Sequence, residues 1–305
     1  MQAVYVAVTG EDRIATYERS GGGLRHRLDT PCPSPFALTL DPARRLLFAA
    51  TQGTAELLSF AVEPGSGALR QLSAVPTAQS HARASEDEDA DFACYLATDR
   101  TGRWLFSAHH WTGSCAVHEI RPDGTLSPAP HQHEITTSGC HCIQTTHDNR
   151  YCFVPCAGFS PGDAETVGNR IFMYMFDEET GRLTPNGDLR PPTPASARFV
   201  PREPAGVPRQ GGDGQWRKGS GAVAEGRTGT VRDPVVVPVT HNRFGNRHEV
   251  GPRHFALHPT LPILYTTDEQ ANTVTAYVIR RDGSLSAMQS EDMLPLSFRE
   301  DSGAG

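Results

Sequence analysis

One pattern recurs five times along the chain and limits the folds that it can adopt. Each copy holds an apolar strand, a polar turn, a second apolar strand that ends in an aromatic or aliphatic residue, and a glycine-containing turn closed by a leucine. The first four closing leucines are separated by 45, 57 and 57 positions, close to the roughly 40–50 residues of a four-stranded propeller blade. The five copies are residues 3–24, 36–69, 94–126, 141–183 and 255–285.

The strands inside each copy are short and rich in β-branched and aromatic residues, and turn sequences such as "DP", "DG" and "HDN" bound them. Helical periodicity is nearly absent, so the sequence predicts an all-β fold. One such unit cannot bury both faces of its sheet, and copies packed radially leave only short, protected edges. The pattern therefore predicts a β-propeller. A β-sandwich is the alternative, but "PDGTL", "ETGRL" and "RDGSL" recur at the same place in the pattern.

The spacing is irregular near the end of the chain. From Leu183 to Leu285 there are 102 positions, about twice the length of one repeat. The excess falls at residues 190–250, which are rich in Pro, Gly and Arg and are predicted to form a disordered insert in a single propeller domain spanning residues 1–305. An out-of-frame stretch is an alternative. The residues after Leu285 are too few for another full blade, so five repeats are visible.

Composition excludes some classes of partner. The net charge is −7, with Lys+Arg 28 against Asp+Glu 35, which leaves no basic field for nucleic acid or an anionic membrane. The first residues lack the basic and apolar regions of a signal peptide, and no stretch approaches the roughly 18 apolar residues of a spanning helix. Seven cysteines, an odd number, are typical of reduced thiols. We expect a cytoplasmic protein without a membrane partner.

Three combinations of motifs resemble the lactonase family of seven-bladed β-propellers. They are "GPRHFALHP" followed by "LYTTDEQANTVTAY", "GCHCIQTTHDNRYCFVP" with "FDEETGRLTPN", and "TDRTGRWLFSAHHWTGSCAVHEI". The resemblance covers nearly all of residues 1–299 except the insert. The family has seven blades, so it implies that about two C-terminal blades are missing and that an open propeller edge promotes self-association.

The family resemblance also implies a site at one end of a central channel. Its catalytic positions match His141, Arg253 and Glu269, and Glu269 lies sixteen positions after Arg253 as in the family pattern. His254 and His110 are expected to contact the substrate. A further arginine of the family belongs to a later blade, beyond the last residue of this chain.

These residue types suit the hydrolysis of a lactone, as in 6-phosphogluconolactonases. The reaction needs a base that activates water, a cation or donor at the oxyanion, and an acid that protonates the leaving alkoxide. His141 or Glu269 can act as base or acid, and Arg253 can hold the oxyanion or a substrate carboxylate or phosphate. A carboxymuconate cyclase could use the same set. Neither reaction requires a metal or a cofactor. A propeller that only binds a ligand is the alternative from another class.

Each candidate also has a structural interpretation. Arg253 could pair with an acidic residue across a blade interface, and Glu269 lies in a polar turn where an exposed carboxylate is ordinary. His254 and His258 could bond to the backbone, and His110 could stack within its blade. The sequence "CHC" at 140–142 suggests zinc, but no "CxxC" pair accompanies it, so we expect buried free cysteines and no metal.

Overall fold

The chain divides into two compact units, Met1–Arg190 and Pro191–Gly305. Most of the predicted insert at 190–250 lies outside the residues that can be described. The computed structural model describes residues 2–20, 22–77, 92–158, 169–191, 209–210, 216–217, 250–269 and 271–293.

The first unit consists of antiparallel sheets, one of three strands followed by three of four strands. A short 3-10 turn, Thr9–Glu11, joins the first two strands. The three-stranded sheet holds β1 (Gln2–Val8), β2 (Arg13–Ser20) and β3 (Gly23–Pro31). The second sheet holds β4 (Pro35–Leu40), β5 (Leu46–Thr51), β6 (Glu56–Val62) and β7 (Leu69–Pro76). The third holds β8 (Ala93–Thr98), β9 (Trp104–His109), β10 (Ser114–Glu119) and β11 (Gln132–Ile135). The fourth holds β12 (Gln144–Thr145), β13 (Tyr151–Cys156), β14 (Arg170–Asp177) and β15 (Arg182–Leu189).

The described part of the second unit contains one four-stranded antiparallel sheet and one short ladder. The ladder pairs β16 (Arg209–Gln210) with β17 (Trp216–Arg217). The four-stranded sheet holds β18 (Pro252–Leu257), β19 (Ile263–Asp268), β20 (Thr273–Ile279) and β21 (Leu285–Asp292). Across both units, the part of the chain that the structure describes contains no helix long and apolar enough to cross a bilayer.

Each sequence repeat corresponds to one sheet. The closing leucine lies at or shortly before the start of the last strand of that sheet. Leu69 and Leu285 begin β7 and β21, and Leu183 is the second residue of β15. The glycine two positions before the leucine has a positive φ in every copy, because the turn needs a left-handed residue there. These glycines are Gly22 (φ 85), Gly67 (71), Gly124 (85), Gly181 (72) and Gly283 (80).

The middle strands of the second and third sheets are apolar on both faces because each of these two sheets packs between two others. In β5, Leu47 packs in one cluster with Ile14 of the first sheet, whereas its neighbour Phe48 packs with Leu105 of the third sheet. The next residue of β9, Phe106, packs in the cluster shared with the fourth sheet. Each such side chain gains about 1.5–3 kcal/mol by burial. Double-sided burial explains why these strands read as continuous apolar runs rather than as an alternating pattern.

Candidate functional site

The first strand of a four-stranded sheet carries one extra residue near its start. The register between the first two strands shifts by one residue after Pro35, Ala93 and Pro252. In the fourth sheet the same shift occurs between the Cys140–Cys156 pair and the Gln144–Phe153 pair. Such bulges turn a side chain out of the regular alternation, often beside a functional site. The residues that directly follow the last pair before the register shift are Phe36, Cys94, His141 and Arg253.

A second equivalent position follows the end of the next strand. There the backbone N–H of Gln52, Ala157 or Glu269 donates to a carbonyl just before the first strand, at 2.8–2.9 Å. His110 holds this position in the third sheet, directly after β9. Each sheet therefore presents a pair of side chains at the same end of its first two strands. The pairs are Phe36 with Gln52, Cys94 with His110, His141 with Ala157, and Arg253 with Glu269.

Arg253 and Glu269 form an ion pair in the second unit. Nη1 of Arg253 lies 3.5 Å from Oε1 of Glu269, and their side chains are 44% and 27% exposed. The other carboxylate oxygen, Oε2 of Glu269, is buried and has no hydrogen-bond partner in the described residues. This atom can therefore accept a hydrogen bond from a bound molecule.

Asp268, the residue before Glu269, fixes the strand end. Its side chain is fully buried and accepts hydrogen bonds from the hydroxyls of Thr266, Thr273 and Thr275 at 2.6–2.9 Å. Burial raises the pKa of Asp268 to about 6, although the three hydroxyls oppose the shift. This network holds the backbone that carries Glu269.

We expect Asp268→Asn to remove a pH dependence of the stability of the second unit. The folded pKa lies above the ordinary value of 3.8, so the folded state binds the proton more tightly than the unfolded chain. The raised pKa of Asp268 therefore stabilises the folded state fully below about pH 4. This stabilisation is lost as the pH rises through about 6, which lowers the free energy of unfolding by about 3 kcal/mol. Urea unfolding of both proteins at several pH values measures it.

The control for this prediction is Asp282→Asn in the same sheet. The hydrogen bond from Ser284 lowers the pKa of Asp282, so its effect has the opposite sign. If the difference in unfolding free energy between wild type and Asp268→Asn stayed constant from about pH 4 to about pH 7, the burial argument would be wrong.

The two histidines of the "GPRHFALHP" segment differ in role. His254 is solvent-exposed beside Arg253. Partial desolvation and the Arg253 guanidinium lower the pKa of His254, while the Glu269 carboxylate opposes the shift. His254 is therefore a neutral imidazole near pH 7 that can accept a hydrogen bond from a substrate. His258 has the structural role: its Nδ1 accepts hydrogen bonds from the backbone N–H groups of Thr260 and Leu261 at 3.2 and 3.1 Å.

His141 and His110 lie together in the first unit. Their ring centroids are 4.3 Å apart with an interplanar angle of 41°. His141 is 8% exposed, and its backbone N–H donates to the carbonyl of Pro155 at 3.2 Å. His110 makes an edge contact with the ring of Trp111 at 4.4 Å, and Trp111 is 61% exposed. His110 thus makes an edge contact with Trp111 rather than stacking on it, and it also lies beside His141 at the sheet end.

Cys94 completes this cluster, although the sequence motifs do not single it out. Its Sγ lies 3.8 Å from Nδ1 of His141 and donates to the carbonyl of Cys140 at 3.3 Å. The repeat itself contains a signal for Cys94. When "FACYLATD" is aligned with "GPRHFALH", Cys94 takes the same position in its repeat as Arg253 does in the fifth. The sequence places Cys94 at the first position of the third repeat, where a cysteine is most simply interpreted as part of a core strand.

The cysteines of the "CHC" sequence are buried. Cys140 and Cys142 are both 0% exposed, and Cys140 belongs to the apolar cluster between the third and fourth sheets. Over residues 2–77 and 92–158 with the other described segments, no group of three or more His, Cys, Asp or Glu side chains has the arrangement of a metal site. All seven cysteines are free thiols.

Two groups of predicted site residues are thus assembled. Arg253, Glu269 and His254 lie together in the second unit, and His141 and His110 lie together in the first. Cys94 belongs to the group with His141 and His110.

Comparison with known proteins gives the family. The model of the family described as "Lactonase, 7-bladed beta-propeller" matches residues 74–206 and 236–305, which is more than half of the chain. The chain belongs to this lactonase family. The β-propeller predicted from the repeats is thereby confirmed as the fold class, and the family match includes both groups of site residues.

Individual relatives of this lactonase-family chain are distant. A 6-phosphogluconolactonase of Cronobacter sakazakii is 22% identical over 98% of this chain and 68% of the relative. One of Serratia proteamaculans is 25% identical over 97% of this chain and 67% of the relative. The chain therefore spans about two thirds of the length of these relatives.

Solved structures show the same fold. A candidate 6-phosphogluconolactonase from Bacteroides fragilis superimposes with a TM-score of 0.62 at 16% identity, covering 97% of this chain and 68% of that protein. A protein of unknown function from Desulfotomaculum acetoxidans gives a TM-score of 0.59 at 12% identity, covering 94% of this chain and 65% of that protein.

Proposed function

We propose that this chain is a lactone hydrolase that opens a sugar lactone of the 6-phosphogluconolactone type without a metal. The observation that carries the proposal is the ion pair between Arg253 and Glu269. Arg253 lies at the bulge near the start of β18, and both residues lie in a segment that matches the family. The curated relatives named 6-phosphogluconolactonase support the substrate class.

Glu269 is the proposed general base. Its side chain is 27% exposed beside Arg253, so a water at the exposed part of the carboxylate can give up a proton to it. Removing a proton from the attacking water in the transition state contributes typically ~10²–10⁴-fold in rate. The water oxygen adds to the lactone carbonyl carbon while Glu269 takes its proton.

Arg253 is the proposed electrostatic partner of the substrate. A guanidinium has five N–H donors, and the contact with one oxygen of Glu269 uses only part of them. The others can hold the oxyanion, or a phosphate or carboxylate of the substrate, in paired hydrogen bonds. His254, beside Arg253, supplies a neutral imidazole to the same substrate.

His141 is proposed as the acid that protonates the leaving alkoxide, with His110 as a substrate contact. The ring contact between them and the burial of His141 support an ordered imidazole. Both assignments come from the family resemblance and stay predictions, as does the assignment of all five repeats to one propeller domain.

The proposal is tested by alkali uptake at constant pH with freshly generated 6-phosphogluconolactone. We expect uptake above the spontaneous rate, and a decrease in kcat/KM of about 10²-fold in Arg253→Ala because the guanidinium no longer balances the developing negative charge. Circular dichroism checks that both proteins keep their β structure.

Arg280→Ala is the matched control, because Arg280 is an exposed arginine at the β20–β21 turn of the same sheet. It should keep the wild-type rate. A folded wild-type chain that takes up no alkali would reject the proposed function and favour a cyclase substrate or a binding role.

The proposal includes a cytoplasmic location and a small-molecule lactone as the partner. The seven free thiols support the location, since disulfides are rare in the reducing cytosol. The expected self-association stays a prediction.

A further inference from the structure

The thiol of Cys94 differs from every other thiol of the chain in its accessibility. Cys94 is partly exposed, whereas the other six cysteines are buried. Burial raises the pKa of Cys32 to about 11 and raises the pKa values of Cys115, Cys140 and Cys152 further, which keeps these thiols protonated and unreactive.

Cys94 also has a base within reach. Its Sγ, which donates to the carbonyl of Cys140 at 3.3 Å, lies 3.8 Å from Nδ1 of His141, and this nitrogen can accept the thiol proton when the ring is protonated at Nε2. Cys94 holds the bulged position of the third sheet, and His141 follows the last pair before the register shift of the neighbouring fourth sheet, so both residues lie at the same end of their sheets. A thiol beside an imidazole is the arrangement that activates a cysteine, because the imidazole takes the proton and the imidazolium stabilises the thiolate.

We propose that Cys94 is the reactive thiol of this chain, a covalent modification site for disulfides and soft electrophiles at the His141 and His110 end of the first unit. In the reaction with a symmetric disulfide, His141 accepts the proton of Cys94 and the thiolate sulfur attacks one sulfur of the reagent. The reagent's S–S bond breaks, a mixed disulfide forms on Cys94, and one equivalent of thiolate leaves. Cys94 is oxidised and the reagent is reduced; excess dithiothreitol reverses the step.

Modification places a new group beside both imidazoles. His141 lies 3.8 Å from Sγ, and the His110 ring lies 4.3 Å from the His141 ring. An aromatic thiol attached to Cys94 would therefore occupy the space where a substrate meets these side chains. We infer that modification stops turnover, a consequence that rests on the proposed lactonase function.

The test uses the full chain and 5,5′-dithiobis(2-nitrobenzoate), which releases a coloured thiolate. We expect one thiol per chain to react about tenfold faster than the average thiol of the chain in denaturant, because pairing with an imidazole raises the thiolate fraction at pH 7 from a few per cent. Mass spectrometry of the labelled peptides should place the adduct on Cys94.

Three variants separate the possibilities. Cys94→Ser should lose the fast phase, Cys32→Ser should keep it, and His141→Asn should slow it about tenfold while Cys94 still titrates in denaturant. A fast phase that survives in Cys94→Ser, or a Cys94 that reacts no faster when folded than when unfolded, would overturn the proposal.

Turnover is measured on the same samples. Labelled wild type should lose lactone hydrolysis and regain it with dithiothreitol, whereas Cys94→Ser should show the same rate before and after treatment. Labelled wild type with unchanged turnover would overturn the blocking role. Absence of turnover before labelling would instead reject the proposed function, and the labelling data would still decide whether Cys94 is the reactive thiol.

Discussion

Glu269→Gln should lower kcat/KM for the lactone by about 10²–10³-fold while the chain stays folded. The amide keeps the size of the side chain but cannot take a proton from water, so the rate loses the contribution of a general base. Stability should change by less than about 0.5 kcal/mol, because the ion pair with Arg253 is long, at 3.5 Å, and partly exposed. Alkali uptake gives the rate, and urea unfolding gives the stability.

The control variant is Glu291→Gln, since Glu291 is an exposed carboxylate on β21 of the same sheet and bonds only to Gln289 among the described side chains. It should behave as wild type. A Glu269→Gln protein that kept more than about a third of the wild-type kcat/KM would show that Glu269 is not the base.

Gly181→Ala should lower the free energy of unfolding of the first unit by about 2–5 kcal/mol. The φ of Gly181 is 72°, a region that costs an L-residue about 1–2 kcal/mol. In addition, a Cβ would lie 2.5–2.6 Å from ring atoms of Trp104, and overpacking of this kind costs about 1–3 kcal/mol. Trp104 cannot easily move, because it is 4% exposed and its Nε1 donates to the carbonyl of Glu178 at 2.8 Å.

Gly22→Ala separates the two contributions. Gly22 holds the same place before a closing leucine, with φ 85°, but a Cβ added there would meet no described atom within 4 Å. It should cost only the backbone strain of about 1–2 kcal/mol. Urea unfolding followed by circular dichroism measures both variants. Equal losses would show that contact with Trp104 contributes nothing.

The proximity of Arg253 and Glu269 was predictable because their motif is local. Sixteen positions separate them, and that stretch holds one hairpin, so the spacing in the sequence places both at the same end of β18 and β19. Cys94 was not predictable in this way. Its meeting with His141 joins residues 47 positions apart in different sheets.

Local sequence was sufficient to predict the number and order of the visible repeats, the all-β class, and the turn glycine with its leucine. These features depend only on local turn conformation and on side chains that repeat along one strand. The outermost strands were harder to detect: β3 is exposed almost throughout, so burial imposes little pattern on it. Which side chains leave the strand alternation became visible only in three dimensions. The bulges at Cys94 and Arg253, and the register shift between Cys140 and Gln144, are one-residue shifts in pairing between strands. Pairing is set by packing between sheets rather than by the residues of the strand alone.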